Sequence, residues 1–150
     1  MKKAENSRGH SASLHLQAER KKCRQLDGGF KARLKCDSEG IQDLFNWECM
    51  VPGAKGTGWE DGSFTVRLAF PADYPESPPV CSFERGFYHY NVFPSGLICS
   101  RRVSEARSVA DVLKAIQELL DTPDLNSFTR SNAWTDYHAW KGLYRDTVRC

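Results

Sequence analysis

Hydrophobic and polar residues alternate in four short segments of the first two thirds of the chain. Apolar side chains occupy every second position within residues 30–36, 45–51 and 64–70, with mostly polar or charged side chains between them. A fourth, shorter segment at 80–83 follows a cluster of prolines. A period of two is typical of β-strands that bury one face. Because turn-forming segments separate the four stretches, we predict a four-stranded antiparallel meander.

Helical periodicity brackets these strands. Apolar residues within 109–120 recur three and four positions apart, with Ser108 as a capping residue and Pro123 as a stop signal. A weakly amphipathic basic helix is predicted over 13–24, and a last helix from about residue 131 onward. This order of a helix, a sheet and further helices predicts an α+β fold in which helices cover one face of the sheet.

The chain length sets the expected domain organisation. A chain of 150 residues with 40% hydrophobic residues predicts one domain with an ordinary core. Residues 1–12 are polar and lack an apolar stripe, so we predict a flexible tail followed by a single domain over 13–150. No segment has the ~18 apolar residues of a membrane span. No cysteine pair has the Cys-x-x-Cys spacing of a zinc or redox site, so we expect free thiols, no metal and a soluble intracellular protein.

Positive charge is concentrated near the N-terminus. Residues 1–35 hold ten basic and three acidic residues, whereas 36–150 hold eleven basic and sixteen acidic ones. The predicted first helix carries four of the basic residues, Arg20, Lys21, Lys22 and Arg24. Such asymmetry suggests a face that docks an acidic partner, although a solvated helix surface is the simpler reading. No aromatic residues interleave with these charges, so protein docking is favoured over nucleic acid.

Three residues with catalytic potential lie around one turn. His89 and Asn91 precede Cys99 by ten and eight residues, with Pro-Ser-Gly between them. A thiol can carry an acyl group while an amide steadies the oxyanion. The alternatives are a buried cysteine that acts as a small hydrophobe and a histidine that only braces its own loop. Cys49 and Cys81 fall on strand patterns and are predicted to lie in the core.

Four blocks of the sequence resemble the ubiquitin-like-protein conjugating enzymes, most closely the SUMO-conjugating branch. They are the strand and glycine-rich loop at 46–60, the proline-rich crossing at 70–79, the stretch 89–99 and the helix end at 116–123. The resemblance spans about residues 14–149. It implies the ubiquitin-conjugating (UBC) fold, with an N-terminal helix, a four-stranded meander and C-terminal helices.

The resemblance also implies a mechanism. In this family an activating enzyme uses ATP and passes the modifier to a cysteine as a thioester, and a substrate lysine then attacks it. Cys99 would carry the acyl group and Asn91 would support the oxyanion, within a loop that contains His89 and Tyr90. The basic residues at 20–24 would dock the activating enzyme and the modifier.

The same resemblance sets the expected cofactors, partners and location. No cofactor is expected on the chain itself, because the activating enzyme uses the ATP. Expected partners are a SUMO-like modifier, the activating enzyme, ligases and lysine-bearing substrates, with no nucleic acid and no membrane. The expected location is the nucleus and cytoplasm.

The chain departs from the family pattern around the incoming lysine. Tyr90 replaces the proline of the family's His-Pro-Asn, which removes a fixed φ from the loop. Phe93 replaces a tyrosine and lacks its hydroxyl. The lysine-orienting aspartate falls at about Ser127, beside Asn126. Residues 100–107 stand in place of an acidic loop and a Trp-Arg-Pro segment.

These departures affect the two steps of the reaction differently. Accepting the modifier requires an accessible thiolate, which Arg101 and Arg102 beside Cys99 are expected to favour. Discharge requires a neutral amine, and a free lysine with a pKa near 10.4 is neutral in only about one molecule in a thousand at pH 7. We therefore expect the thioester to form and the transfer to lysine to be slower.

Three functions remain open from the sequence. The leading hypothesis is a SUMO-conjugating enzyme, which the glycine-rich loop at 52–60 favours. A ubiquitin-conjugating enzyme is the second, because the acidic loop of the SUMO branch is missing. The third is a conjugating fold that serves as a binding module, which Tyr90 suggests and the presence of Cys99 and Asn91 argues against.

Overall fold

The chain begins with a long helix, continues through four strands and reaches two further helices. The computed structural model describes residues 2–124, with side chains from residue 9 onward. The predicted last helix, from 131 onward, therefore lies outside the described residues. The elements are α1 (Lys2–Cys23), β1 (Lys31–Cys36), β2 (Gln42–Pro52), β3 (Ser63–Ala69), β4 (Val80–Ser82), α2 (Arg101–Ser104) and α3 (Val109–Asp121).

The four strands form one antiparallel sheet in the order β1-β2-β3-β4. One row across the sheet joins Leu34, Trp47, Leu68 and Cys81, and the last three of these side chains are buried. On β1, β2 and β3 the neighbours of this row include charged residues, and their side chains point to the opposite face: Arg33, Glu48 and Arg67. The predicted four-stranded meander is confirmed.

Helix α3 covers the inner face of the sheet. It begins at Val109 because the Ser108 hydroxyl accepts a hydrogen bond from the backbone N–H of Asp111 at 3.1 Å. Its buried side chains follow the helical spacing that the sequence predicts: Val109, Val112, Leu113, Ile116, Leu119 and Leu120. The predicted helix over 109–120 is confirmed.

Helix α1 is longer than the sequence predicts. It begins at Lys2, and Ala12 and Leu16 are both fully buried. The prediction of a flexible tail over residues 1–12 is therefore wrong. The inward stripe of α1 contains a small residue, Ala12, and a charged one, Glu19, so an apolar pattern alone does not reveal it.

The buried carboxylate of Glu19 joins α1 to the rest of the molecule. It accepts hydrogen bonds from the Tyr74 hydroxyl and from the backbone N–H of Val109, at 2.9 Å for the latter. The His15 imidazole lies 3.5 Å from the same carboxylate. A negative charge is favourable at this position because Val109 opens helix α3.

Among the described residues, no helix is both long and apolar enough to span a membrane.

Candidate active site

A tight hairpin places Asn91 opposite Cys99. The backbone N–H of Cys99 donates to the Asn91 carbonyl at 2.6 Å, and the N–H of Phe93 donates to the Leu97 carbonyl at 2.9 Å. The chain reverses at Gly96, whose φ is +96°. The turn predicted between the amide and the thiol therefore brings the two residues side by side.

The edge of the sheet holds this hairpin in place. The N–H of Ile98 donates to the Cys81 carbonyl at 2.9 Å, and the N–H of Phe83 donates to the Gly96 carbonyl at 2.8 Å. Both bonds run from the end of β4 to the second arm of the hairpin. The position of Cys99 is thus determined by the sheet rather than by a free loop.

Cys99 is enclosed and oxidised in the structure. Its residue is 1% exposed and its sulfur is disulfide-bonded, whereas the other described cysteines at 23, 36, 49 and 81 are free. The expectation of free thiols is therefore wrong for Cys99. Disulfide formation depends on which sulfur atoms the fold brings together, and sequence spacing does not report that distance. An acyl group can reach Cys99 only after the disulfide is reduced and the sulfur is uncovered.

Three other cysteines are poor nucleophiles. Burial raises the pKa of Cys23 to about 11, that of Cys49 to about 12 and that of Cys81 to about 12. These thiols are therefore protonated at neutral pH, and the thiolate is the reactive form. The prediction that Cys49 and Cys81 belong to the core is confirmed by their burial.

The Asn91 side chain is fully buried and held at both of its polar atoms. Its amide nitrogen donates to the Asp124 carbonyl at 2.9 Å, and its amide oxygen accepts from the Asp124 N–H at 2.8 Å. The two bonds determine which way the amide faces. Because the nitrogen carries two hydrogens, the bond to Asp124 leaves a second N–H to donate.

His89 braces the loop that carries Asn91. Its Nδ1 accepts from the Asn91 N–H at 3.0 Å, so the neutral ring carries its proton on Nε2 and donates it to the Leu119 carbonyl at 2.8 Å. That carbonyl belongs to the last turn of α3, where helical donors run out. Burial lowers the pKa of His89, which keeps the ring neutral.

This neutral histidine predicts a pH-dependent stability. Because the pKa of His89 is lower in the folded chain, the unfolded chain binds more protons as pH falls below about 6.5, and the free energy of unfolding decreases. The loss from this group cannot exceed about 1.4 kcal/mol per pH unit. His89→Gln should be less stable near neutral pH, but its free energy of unfolding should not fall in this way as the pH is lowered. Urea unfolding between about pH 5 and pH 8 measures this dependence.

The matched control is His10→Gln, because His10 is exposed. Its free energy of unfolding should depend on pH as that of the unaltered chain does. The same dependence on pH in His89→Gln and in the unaltered chain would show that another group causes it.

Sequence reasoning missed Asp124, which is 6% exposed. One of its carboxylate oxygens accepts from the Ser100 hydroxyl at 3.0 Å and from the Arg102 N–H at 3.3 Å. The only sequence signal was its position directly after Pro123, at the end of α3. Its 33-residue separation from Asn91 hides the contact.

Helix α2 occupies the short segment after Cys99 and was not predicted. Arg102 lies on it and donates to the Thr122 carbonyl, and it lies 3.3 Å from Glu118 and 3.9 Å from Asp124. Arg101 pairs with Glu105 at the exposed surface. Both guanidinium groups face carboxylates, which offsets the positive charge expected to favour a thiolate at Cys99.

Two of the remaining predicted site residues lie close to Asn91. Tyr90 and Phe93 are both half-buried in the segment that leads to Cys99. Ser127 and Asn126 lie outside the described residues. Within the described part of the chain, no three His, Cys, Asp or Glu side chains are grouped to hold a metal ion.

The predicted docking residues lie at the end of α1. Lys21, Lys22 and Arg24 are exposed, whereas Arg20 is half-buried. Basic residues in the last turn also stabilise a helix through its dipole, so their position alone does not indicate a partner.

Comparison with known proteins establishes the family. Residues 15–150 match the family model described as ubiquitin-conjugating enzyme. This chain belongs to the ubiquitin-conjugating enzyme family. It is 35% identical over 127 residues to SUMO-conjugating enzyme UBC9 of Caenorhabditis elegans, which covers 81% of this chain and 76% of that protein. It is 42% identical over 102 residues to SUMO-conjugating enzyme SCE1 of Arabidopsis thaliana, covering 64% of each chain.

A solved structure agrees with this assignment. The chain is similar to human ubiquitin-conjugating enzyme E2 G1 with a TM-score of 0.63 and 28% identity, over 75% of this chain and 96% of that one. The predicted UBC fold and the predicted resemblance to the SUMO-conjugating branch are confirmed. The chain is accordingly a transferase of the thioester-forming conjugating type.

Proposed function

We propose that this conjugating enzyme carries a SUMO-like modifier as a thioester on Cys99 and transfers it to lysines of substrate proteins. The observation that carries the proposal is the hairpin that sets Asn91 directly opposite Cys99. The identity to two SUMO-conjugating enzymes supports the choice of modifier.

The reaction proceeds in two acyl transfers. The Cys99 thiolate attacks the thioester that joins the modifier to the activating enzyme, a new carbon–sulfur bond forms, and the activating enzyme's sulfur leaves. The neutral amine of a substrate lysine then attacks the Cys99 thioester, an isopeptide carbon–nitrogen bond forms, the nitrogen releases one proton to solvent, and Cys99 leaves as a thiolate. The second N–H of the Asn91 amide, beyond the one that binds the Asp124 carbonyl, donates to the oxyanion of the second step. ATP is used by the activating enzyme, so this chain needs no cofactor of its own.

The partners and the location follow the same proposal. Lys21, Lys22 and Arg24 offer an exposed basic surface to the activating enzyme and the modifier. Ligases and substrates complete the set of partners, and the nucleus and cytoplasm are the proposed location. Phe93 lacks a hydroxyl and Ser127 lacks a carboxylate, so lysine discharge is slow compared with thioester formation.

One other cargo has specific support. The similarity to human ubiquitin-conjugating enzyme E2 G1 favours ubiquitin as an alternative.

The test is an adduct assay on the protein reduced with a phosphine. The protein is incubated with ATP and either SUMO or ubiquitin, each with its own activating enzyme. We expect a reductant-sensitive adduct with SUMO, none with Cys99→Ala, and a reductant-stable oxyester with Cys99→Ser. Without prior reduction the adduct should be absent, because the disulfide occupies the sulfur.

Cys36→Ser is the matched control, since Cys36 is a free and exposed cysteine. It should form the adduct normally. An adduct with ubiquitin alone would identify the other cargo, and no adduct with either modifier would favour the binding module. An adduct that persists in Cys99→Ala would show that another cysteine carries the acyl group.

A further inference from the structure

Asp124 connects two segments next to Cys99, the one that contains Asn91 and the one that begins at Ser100. On one side its backbone N–H and carbonyl bind both polar atoms of the Asn91 amide. On the other side its carboxylate binds the Ser100 hydroxyl and the Arg102 N–H. Asn91 accepts a hydrogen bond from the Cys99 N–H, and Ser100 follows Cys99 in the chain, so one residue binds both neighbours of Cys99.

The carboxylate is well suited to this task. It is almost fully buried, so its charge requires compensation, which Arg102 supplies at 3.9 Å. Arg102 is itself held by Glu118 and by the carbonyl of Thr122 at the end of α3. The position of Asp124 is therefore tied to both the cysteine segment and the helix.

We propose that Asp124 is a positioning residue for the transfer to lysine. Its carboxylate holds its own main chain in place, and that main chain aims the second N–H of the Asn91 amide at the oxyanion. Preorganised donors are effective because they need no rearrangement as the charge develops. This inference rests on the proposed function, because it concerns the oxyanion of the Cys99 thioester.

The proposal predicts a selective defect in Asp124→Ala. Thioester formation should be unchanged, whereas discharge to free lysine should slow by about tenfold, a fraction of the hundredfold or more that accompanies loss of an oxyanion donor. The discharge rate at saturating lysine should fall, whereas the KM for lysine should not change. Discharge is measured from a purified, preformed thioester on the full reduced chain.

Two further variants separate positioning from general damage. Asp124→Asn keeps an acceptor oxygen for Ser100 and for the Arg102 N–H, so it should recover most of the rate. Asp121→Ala removes an exposed aspartate three residues away, at the end of helix α3, and should behave like the unaltered chain.

The decisive measurement is Asp124→Ala in an Asn91→Ala background. If Asp124 acts through the Asn91 amide, the double variant should discharge no more slowly than Asn91→Ala alone. Equal fold losses in both backgrounds would overturn the proposal, as would an equal loss of thioester formation. Normal discharge by Asp124→Ala would overturn this proposal alone, whereas the absence of any adduct in the unaltered chain would overturn the proposed function with it.

Discussion

Asn91→Ala is expected to slow the discharge of the Cys99 thioester to lysine by on the order of 100-fold. The substitution removes the N–H that we propose donates to the oxyanion, and it also removes the two bonds to Asp124. Thioester formation should fall much less, because it depends chiefly on access to the thiolate. The measurement is single-turnover discharge of the preformed thioester at several lysine concentrations.

Asn91→Asp removes the amide donor but keeps part of the local structure. It keeps the side-chain shape and an oxygen for the Asp124 N–H, but it has no donor for the Asp124 carbonyl or for an oxyanion. It should therefore be as slow in discharge as Asn91→Ala. Asn46→Ala, on β2, is the control and should discharge normally. Near-normal discharge by Asn91→Asp would show that the amide only holds the loop.

Gly96→Ala is expected to reduce the free energy of unfolding by about 3 kcal/mol, through backbone strain combined with a clash. The φ of Gly96 is +96°, a conformation that residues with a Cβ rarely adopt. A Cβ at this position would also lie 2.2 Å from the Phe83 carbonyl oxygen. That carbonyl belongs to the strand edge on which the hairpin rests, so the hairpin must move.

Gly86→Ala is the matched control for the clash. Its φ is +86°, but no atom lies within 4 Å of the added Cβ. This substitution should reduce the free energy of unfolding by only about 1 kcal/mol, from the backbone conformation alone. Urea unfolding of both variants measures the difference, and adduct formation measures whether the hairpin still presents Cys99. If both variants lose the same free energy of unfolding, a small shift of the backbone relieves the clash between the added Cβ and the Phe83 carbonyl oxygen.

The strands and helix α3 could be predicted from the sequence because their signals are local. Alternation along β2 and β3 and the spacing within 109–120 depend on which face of one element is buried. The hairpin turn was likewise predictable, since glycine at position 96 follows Pro-Ser. Resemblance to a known family then supplied the roles that we propose for Cys99 and Asn91.

The errors arose where a residue's environment is set by distant parts of the chain. Residues 1–12 were predicted as a tail because their apolar content is low, yet Ala12 packs fully against the core. Arg102 was expected to favour a thiolate, but the fold brings Glu118 and Asp124 to its guanidinium group.

The amino-acid sequence by itself determined the order of helices and strands, the turn between amide and thiol, and the family to which the chain belongs. Only the tertiary structure decided that Asp124 binds Asn91 from 33 positions away, and that Cys99 is enclosed and oxidised. The reason is physical: periodicity and turn chemistry act between near neighbours, whereas burial, ion pairing and disulfide bonding depend on distances that exist only after the chain has folded.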